Sequence, residues 1–256
     1  MTNSGTSSNT QQTNELTLLI DADLYLYRAC AASEEETDWG DDIWSLSTDL
    51  KVAKRLFSDQ INRFKQLFNT DHAILAISDK ENFRKEIEPT YKGVRKKTRK
   101  PLGYAEMVEW VRNNYTAHSE PLLEADDVLG ILSTAPGANT IIISDDKDMK
   151  SIPGRLYRPA TDERMKITKD QADWWFFRQT LTGDAVDGYG GCPTVGEKTA
   201  EKILGPRPTW QTVVNAFVKQ GLTAEDALKQ ARLARILRCE YWDVDRRLVN
   251  LWTPPQ

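Results

Sequence analysis

Short apolar runs alternate with helical patterns along this chain. Residues 16–20, 73–77 and 140–143 are largely apolar runs of strand length. Residues 48–68 instead place apolar side chains three and four positions apart, which predicts an amphipathic helix. Continuous apolar strands separated by such helices are typical of a parallel sheet that is covered on both faces. The pattern predicts the α/β class, with a central, mostly parallel, twisted sheet flanked by helices.

Aspartates follow each of the three predicted strands. In chain order they are Asp21 and Asp23, then Asp79, then Asp145, Asp146 and Asp148. In open α/β sheets the ligand lies beyond the carboxyl ends of the strands, so these carboxylates would share one crevice. One such aspartate is ordinary, because Asp favours turns and helix N-caps. Three acidic strand ends in register are harder to explain by capping, and they predict a common acidic site.

Two further acidic motifs extend this set. Glu124, Asp126 and Asp127 directly precede an apolar helical pattern, and acids at a helix N-terminus are stabilised by the helix dipole. Three acids within four residues exceed what capping requires, and they would repel one another without a cation. Asp184 and Asp187 lie in a glycine-bounded motif at residues 183–188, which alone would indicate only a polar loop.

The composition of this acidic set indicates its chemistry. It contains about nine carboxylates, and the two histidines of the chain, His72 and His118, lie in no motif. A site built of oxygen ligands suits Mg²⁺ or Mn²⁺ rather than zinc. Two such ions about 4 Å apart activate a water and stabilise the attacking and leaving oxygens of a phosphodiester. We therefore expect metal-dependent phosphodiester hydrolysis.

The distribution of charge is compatible with a nucleic-acid partner despite a net charge of −4. If nine of the 38 acids bind metal, 29 remain against 34 basic residues. Residues 84–100 hold eight Lys and Arg against two Glu, which indicates either a solvated charge run or a phosphate-binding surface. Three scattered cysteines and the lack of a bilayer-length apolar run favour a soluble, cytoplasmic protein.

Five motifs in order and spacing resemble the flap endonuclease/5′-nuclease family, most of all the stand-alone 5′–3′ exonucleases of short-tailed bacteriophages. The motifs are LLIDAD (18–23), ISDKENFRKEIEPTYKGVRKK (77–97), EADDVLG (124–130), IIISDDKDM (141–149) and TGDAVDGYGGCPTVGEKTA (182–200). The resemblance implies a PIN-like catalytic domain over 15–180 with a helical arch at about 80–115, and a helix–hairpin–helix DNA-binding element over 181–205. Residues 1–14 are predicted to be a disordered tail, and 206–256 a C-terminal helical extension.

The resemblance also implies roles for single residues. It places Lys92 and Arg84 beside the scissile phosphate, where both would stabilise developing charge, although general phosphate attraction would also explain them. Tyr91 is expected to stack on a base. The basic residues expected to contact DNA in the arch are Arg95, Lys96 and Lys97. The expected metal ligands are Asp21, Asp79, Glu124, Asp126, Asp127, Asp146, Asp148, Asp184 and Asp187.

In the helix–hairpin–helix, the resemblance implies backbone contacts to duplex phosphates and a bound K⁺. The expected contact residues are Gly190, Gly191, Gly196, Lys198 and Thr199. The usual proline–glycine pair of this turn is Pro193-Thr194 here. If that position requires positive φ, Thr194 must strain or reshape the turn. A plain glycine-rich linker between two helices is the alternative.

The expected function is metal-dependent 5′–3′ exonucleolysis of duplex DNA and RNA–DNA hybrids, with flap endonuclease and RNase H-type activity and a two-metal mechanism. The protein is expected to act as a monomer, away from membranes, in a phage-infected bacterial cytoplasm. A PIN-like ribonuclease is one alternative, although it needs no helix–hairpin–helix. A dehalogenase-type phosphatase is a second, but Tyr25 departs from its D-x-D-x-T/V motif. A non-catalytic DNA-binding subunit with the same fold is a third alternative. A protein that had lost its active site would not need so many costly like charges.

Overall fold

The computed structural model describes residues 15–93 and 99–255. The predicted tail (1–14) and the arch residues Arg95, Lys96 and Lys97 lie outside the described residues. Within the described part of the chain, no helix is both long enough and apolar enough to span a bilayer.

The core of the molecule is a six-stranded sheet in the order β5-β4-β1-β6-β7-β8. Its strands are β1 (Thr17–Asp21), β4 (Ala73–Ala76), β5 (Ala117–His118), β6 (Thr140–Ile143), β7 (Gly154–Arg158) and β8 (Glu163–Ile167). All neighbours are parallel except β7 and β8. The three strands predicted from apolar runs, β1, β4 and β6, are adjacent at the centre. The predicted mostly parallel sheet is confirmed.

Helices and two small hairpins surround this sheet. The helices are α1 (Ala22–Ala31), α2 (Leu50–Phe68), α3 (Arg84–Ile87), α4 (Tyr104–Asn114), α5 (Ala125–Thr134), α6 (Lys169–Thr182), α7 (Glu197–Leu204), α8 (Trp210–Lys219) and α9 (Ala224–Ala234). Short 3₁₀ helices span Lys147–Ser151 and Cys239–Tyr241. The hairpins pair β2 (Glu34–Asp38) with β3 (Trp44–Thr48), and β9 (Trp242–Asp243) with β10 (Leu248–Val249).

Both faces of the sheet are covered, as the continuous apolar strands predict. Side chains alternate between faces along a strand, so Leu18 and Ile20 enter one core with α1, α2 and α4, while Leu19 enters another with α5. Helix α2 begins at its N-cap Asp49 and buries Phe57 and other apolar residues spaced three and four apart. These two layers fix the direction in which the carboxyl ends of the strands point.

The C-terminal extension forms a third core with the helices that precede it. Helices α6 to α9 bury Phe176, Phe217 and Trp252 together. The segment after α9 then packs on α5, where a Cβ at Gly130 would lie 2.1 Å from the carbonyl oxygen of Leu237. Only glycine permits this approach of the two backbones. The extension contains the two helices α8 and α9, and its last segment packs against the helix that carries the acidic motif.

Candidate active site

Asp21 lies at the carboxyl end of the central strand and is 7% exposed. One carboxylate oxygen accepts a hydrogen bond from Ser144 Oγ at 2.8 Å. The other accepts one from the backbone N–H of Leu24, at the start of α1. Burial, together with the nearby charges of Asp23 and Asp146, raises the pKa of Asp21 from 3.8 to about 7. Acids from two strand ends therefore act on one another here.

Asp126, in the first turn of α5, faces the same centre. Burial raises its pKa well above the ordinary range, and the charges of Asp21 and Asp146 raise it further. Glu124, the N-cap of this helix, behaves differently. Burial would raise its pKa, but attraction to Lys92 and Arg84 outweighs burial and lowers it. The acidic motif thus places one carboxylate among acids and another among cations.

The third strand end contributes Asp146 and Asp148. Asp146 caps the 3₁₀ helix by accepting the backbone N–H of Asp148 at 2.8 Å. Burial and the charge of Asp146 raise the pKa of Asp148 to about 7, and Asp184 raises it as well. Asp145 points elsewhere, since its carboxylate pairs with Arg28 at 2.6 Å and accepts the N–H of Ala160.

The glycine-bounded motif closes one side of this centre. A Cβ at Gly191 would lie 2.3 Å from the backbone nitrogen of Gly183, so the two segments touch through their backbones. The Asp184 carboxylate accepts the N–H groups of Val186 and Asp187, which fixes the loop between them. This loop brings Asp184 within electrostatic reach of Asp148.

Lys92 lies between two of the acidic motifs. Its ammonium forms an ion pair with Glu124 and lies 3.6 Å from Asp187 Oδ2. Its backbone N–H donates to the carbonyl of Asp187 at 2.7 Å, with φ at +54°. Burial would lower the pKa of Lys92, but Glu124, Asp187 and Asp126 outweigh it and raise the pKa. The lysine is a permanent cation with one-fifth of its side chain exposed.

Tyr91 forms hydrogen bonds with the same two acids. Its hydroxyl lies 3.1 Å from Glu124 and 3.2 Å from Asp187. Its ring is 4% exposed and stacks on Tyr189 with 6.3 Å between centroids. The expected stacking of Tyr91 on a base does not fit this conformation, because neither face of the ring is open.

Arg84 is a buried clamp. It is 2% exposed, and its guanidinium binds both oxygens of Asp127 at 2.7 and 2.8 Å. The remaining N–H groups donate to Glu124 and to the carbonyls of Leu233 and Arg235. All five donors are used, so none faces a phosphate in this conformation. The expected contact of Arg84 with the phosphate does not fit this geometry.

Asp127 is equally enclosed. The residue is fully buried, and besides Arg84 it accepts the backbone N–H groups of Glu124 and Leu237. A carboxylate with both oxygens bound in this way has no free side for an ion. Its expected role as a ligand does not fit this geometry, and it instead ties α5 to the C-terminal segment.

Asp79, an expected ligand, and Asp23, which was not among the expected ligands, have different environments. The carboxylate of Asp79 accepts the backbone N–H groups of Leu122 and Lys80, and the Leu122 bond is the main reason its pKa is lowered. Asp23 instead lies beside Asp21 and raises that residue's pKa. It also accepts hydrogen bonds from Ser78 N–H and from Tyr104 Oη.

The region expected to be a helix–hairpin–helix consists of α6, a glycine-rich loop and α7. Gly196 is the N-cap of α7, and Gly190, Gly196, Lys198 and Thr199 are exposed. The N–H of Gly191 donates to Gln230 Oε1 at 2.8 Å, so it is engaged within the protein. Thr194 has φ at +63°, the left-handed region anticipated for the missing glycine.

The described residues contain no group of three or more Asp, Glu, His or Cys side chains already gathered closely enough to hold a metal ion. Ionised carboxylates without a cation repel one another. The donor chemistry nevertheless fits a hard divalent cation. Asp21, Asp126 and Asp148 are each disfavoured as anions by burial and by another acid, and a cation would offset both effects.

Comparison with known proteins identifies the family. Residues 16–172 match the family described as 5′-3′ exonuclease, N-terminal resolvase-like domain. The chain belongs to the 5′–3′ exonuclease family. It is 33% identical to the exodeoxyribonuclease of Enterobacteria phage T3, over 93% of this chain and 92% of that protein. It is 31% identical to the exonuclease of Escherichia phage T7, over 93% of each chain. The chain is therefore an enzyme of the exodeoxyribonuclease class.

A solved structure agrees in fold. The flap endonuclease of bacteriophage T5, in a pseudo-enzyme–product complex with DNA and metal ions, superposes with a TM-score of 0.64. The match covers 89% of this chain and 90% of that one at 13% identity. The predicted fold class is confirmed by this match, and the phosphatase alternative is not supported.

Several residues of this site carry no signal in the sequence. Ser144 is fully buried and donates a hydrogen bond to Asp21, Gln179 donates to Asp148 Oδ2 at 2.7 Å, and Tyr189 is buried close enough to Asp184 and Asp187 for their charges to raise its pKa. Ser144 belongs to the IIISDDKDM motif, but nothing in that motif distinguishes a serine that binds a carboxylate from one in a turn. Only the pairing of β1 with β6 brings it to Asp21.

Proposed function

We propose that this exonuclease hydrolyses phosphodiesters of duplex DNA and RNA–DNA hybrids from the 5′ end by a two-metal mechanism, with flap endonuclease and RNase H-type activity. The observation that supports it is that Asp21, Asp126 and Asp148, acids from three separate elements, are each disfavoured as anions by burial and by the charge of Asp146. Such a cluster is costly in a fold without a ligand that offsets it.

Divalent ions of the Mg²⁺ or Mn²⁺ type would, when bound, supply positive charge that activates water and stabilises the leaving oxygen. We propose that the residues that would hold them are Asp21, Asp126, Asp146, Asp148 and Asp184, with Asp23 at the edge. Glu124 and Asp187 share the ammonium of Lys92. We therefore propose two roles for Glu124 and Asp187. They hold the Lys92 ammonium in position, and they form the outer part of the ion site.

In this proposal, Lys92 is the cation of the protein that stabilises negative charge on the reacting phosphate. Its charge persists at neutral pH because three acids raise its pKa. Its partly exposed ammonium faces the acidic centre. A substrate phosphate bound there would replace Glu124 as the partner of this ammonium. Arg84, by contrast, acts by holding Glu124 and Asp127 in place.

Duplex DNA is proposed to lie along the glycine-rich loop and the start of α7. The exposed Gly190, Gly196, Lys198 and Thr199 offer backbone and ammonium donors to phosphates, with K⁺ as a further candidate ligand of this loop. The basic arch segment is proposed to admit the 5′ strand. We propose further that the enzyme acts as a monomer in the cytoplasm of a phage-infected bacterium.

The test uses duplex DNA and an RNA–DNA hybrid, each labelled at the 5′ or the 3′ end. With Mg²⁺, short 5′-labelled products are expected from both substrates, and EDTA should abolish them. The Asp146→Asn variant should lose cleavage by at least about 100-fold. The Asp145→Asn variant is the matched control, since Asp145 faces Arg28 and Ala160 and should retain activity.

Different failures have different meanings. A well-folded wild-type protein that binds DNA but never cleaves it would favour the non-catalytic subunit. Cleavage of DNA but not of the hybrid would remove the RNase H-type activity alone. Equal loss in both variants would contradict the assignment of Asp146 as a ligand and Asp145 as a structural acid.

A further inference from the structure

The hairpin of β2 and β3 is an exposed element that the proposed chemistry does not use. All residues from 35 to 45 are exposed. Isolated two-stranded hairpins are marginally stable in water, so this one depends on its attachments. At its base, Glu34 binds the guanidinium of Arg99 at 2.6 and 3.1 Å and accepts the N–H of Leu102 at 2.6 Å. The base is therefore held by these contacts, while the residues of the tip are exposed.

The tip presents large apolar side chains to solvent. Trp39, Ile43 and Trp44 are 69%, 61% and 60% exposed. They are ordered in place: Trp39 Nε1 donates to Ser45 Oγ at 2.9 Å across the hairpin, and its backbone N–H donates to the carbonyl of Ile43. Clustered exposed apolar residues of this size mark interaction sites in water-soluble folds. Trp is also the residue most enriched in the energetic centres of protein interfaces.

The charge around this tip selects the kind of partner. Residues 34–48 contain six Asp and Glu and no Lys or Arg. Such a surface repels the phosphates of DNA and RNA, although exposed indoles alone would suit a stacked base. It attracts a basic polypeptide by long-range steering, and the apolar residues then supply contact area. The combination distinguishes this surface from the basic stretch of residues 84–100.

We propose that the tip of the β2–β3 hairpin is a docking surface for a partner protein that presents a basic segment carrying apolar or aromatic side chains. The partner would place its Lys and Arg against the acids of β2 and its apolar side chains against Trp39, Ile43 and Trp44. None of these three apolar residues is assigned to the acidic centre, so the interaction would recruit the enzyme without blocking cleavage.

The probe is a fluorescein-labelled synthetic peptide of alternating lysine and leucine with one tryptophan. One control peptide replaces its apolar residues with serine, and another replaces lysine with glutamate. With the full-length protein, fluorescence anisotropy should give the basic–apolar peptide at least about tenfold higher affinity than either control. The W39S/W44S variant should lose at least about tenfold of that affinity, and added salt should weaken it.

Two further variants keep this test interpretable. V218S/V244S is the matched control, because Val218 and Val244 are 55% and 71% exposed elsewhere and their loss should leave affinity unchanged. E35K/E36K leaves the tryptophans in place, and it should shift the preference toward the glutamate-containing peptide. Each variant is accepted only with a wild-type circular dichroism spectrum and melting temperature.

Other outcomes would overturn the proposal. Equal affinity for the serine peptide, or no effect of W39S/W44S, would mean that the apolar tip binds nothing of this chemistry. Loss of labelled oligo(dT) binding in W39S/W44S would identify a single-strand site instead. Sedimentation of the wild type as a dimer that W39S/W44S dissociates would identify a second copy as the occupant. Loss of duplex cleavage in W39S/W44S would place the hairpin in the substrate path.

Discussion

Neighbouring residues of one motif have opposite environments in this protein. Asp126 faces the acids of two strand ends, while Asp127, the next residue, is enclosed by Arg84 and two backbone N–H groups. Asp145 and Asp146 differ in the same way. The sequence does not distinguish the acids within each pair, because it shows residue type and spacing but not the direction of each side chain.

The raised pKa of Asp148 predicts a conflict between stability and function. Its pKa in the folded protein, about 7, lies above the ordinary 3.8, so the ionised form destabilises the fold. The free energy of unfolding of the metal-free protein should therefore fall as pH rises from about 4 to about 7. Asn carries no charge, and Asp148→Asn should be more stable than wild type at pH 8 by roughly 1–3 kcal/mol, yet inactive.

Thermal unfolding in EDTA at pH 4 and pH 8 measures this effect. The advantage of Asp148→Asn should be present at pH 8 and small at pH 4. Adding Mg²⁺ at pH 8 should stabilise the wild type and leave the variant nearly unchanged. An Asn variant that is less stable than wild type at pH 8 in EDTA would contradict the argument.

Arg84 and Lys92 should separate stability from catalysis. Arg84→Met leaves the buried Asp127 without its partner, which should cost about 3–5 kcal/mol of unfolding free energy. The double variant R84M/D127L removes both charges and should recover much of that loss. Lys92→Met should cost far less stability but at least about 100-fold in kcat. Urea unfolding and single-turnover cleavage distinguish the two. Similar losses of stability in Arg84→Met and Lys92→Met would contradict the assignment of Arg84 to the fold and of Lys92 to catalysis.

At the scale of elements, local sequence was sufficient for the central strands and insufficient for the loop before α7. The runs at β1, β4 and β6 are apolar over strand length, and buried parallel strands require that pattern. The loop depends on contacts that are distant in sequence, such as Gly191 N–H with Gln230. The sequence did point to Thr194 as a departure, and the structure gives it a positive φ.

Thr194→Gly should therefore stabilise the protein. A threonine in the left-handed region costs about 1–2 kcal/mol, and glycine loses about 0.5–1 kcal/mol through its extra unfolded-state entropy. The net gain should be about 0.5 kcal/mol, measured by urea unfolding. Thr199→Gly is the matched control, since Thr199 is within α7 and the change should destabilise it by up to about 1 kcal/mol. Destabilisation by both changes would show that Thr194 is not strained.

At the scale of the whole molecule, the C-terminal extension binds the buried residues that hold the acidic motif of α5 in place. Carbonyls of Leu233 and Arg235 accept from Arg84, and Leu237 N–H donates to Asp127. A second link joins Glu88, directly after α3, to Lys229 on α9 at 2.8 Å. Residues 206–256 thus contribute to the geometry of acids more than 100 positions earlier in the chain.

The Glu88–Lys229 link predicts a pH-dependent contribution to stability. Hydrogen bonds from Lys229 and Thr90 lower the pKa of Glu88 from 4.5 to about 2. Its contribution is therefore complete above about pH 4.5 and is lost as pH falls toward 2. Glu88→Gln should cost about 1 kcal/mol or less at pH 7, because the pair is partly exposed. This cost should shrink between pH 4.5 and 2.

Urea unfolding from pH 2.5 to pH 7 measures this difference. Glu81→Gln is the control, since Glu81 is 69% exposed and its ion pair among the described residues is with Lys85, one helical turn away. Its effect should be near zero throughout the range. A Glu88→Gln cost that stays constant with pH would contradict the argument.

The sequence by itself determined the α/β class, the central strands and the five acidic motifs, because strand periodicity and strand-end acids are local properties of the chain. Only the tertiary structure decided which acids face one another, that Arg84 and Asp127 form a buried ion pair, and that Asp23 acts on Asp21 while Asp79 accepts two backbone N–H groups. The physical reason is common to all three. Burial, ion pairing and pKa depend on groups brought together from distant parts of the chain, and those distances exist only after folding.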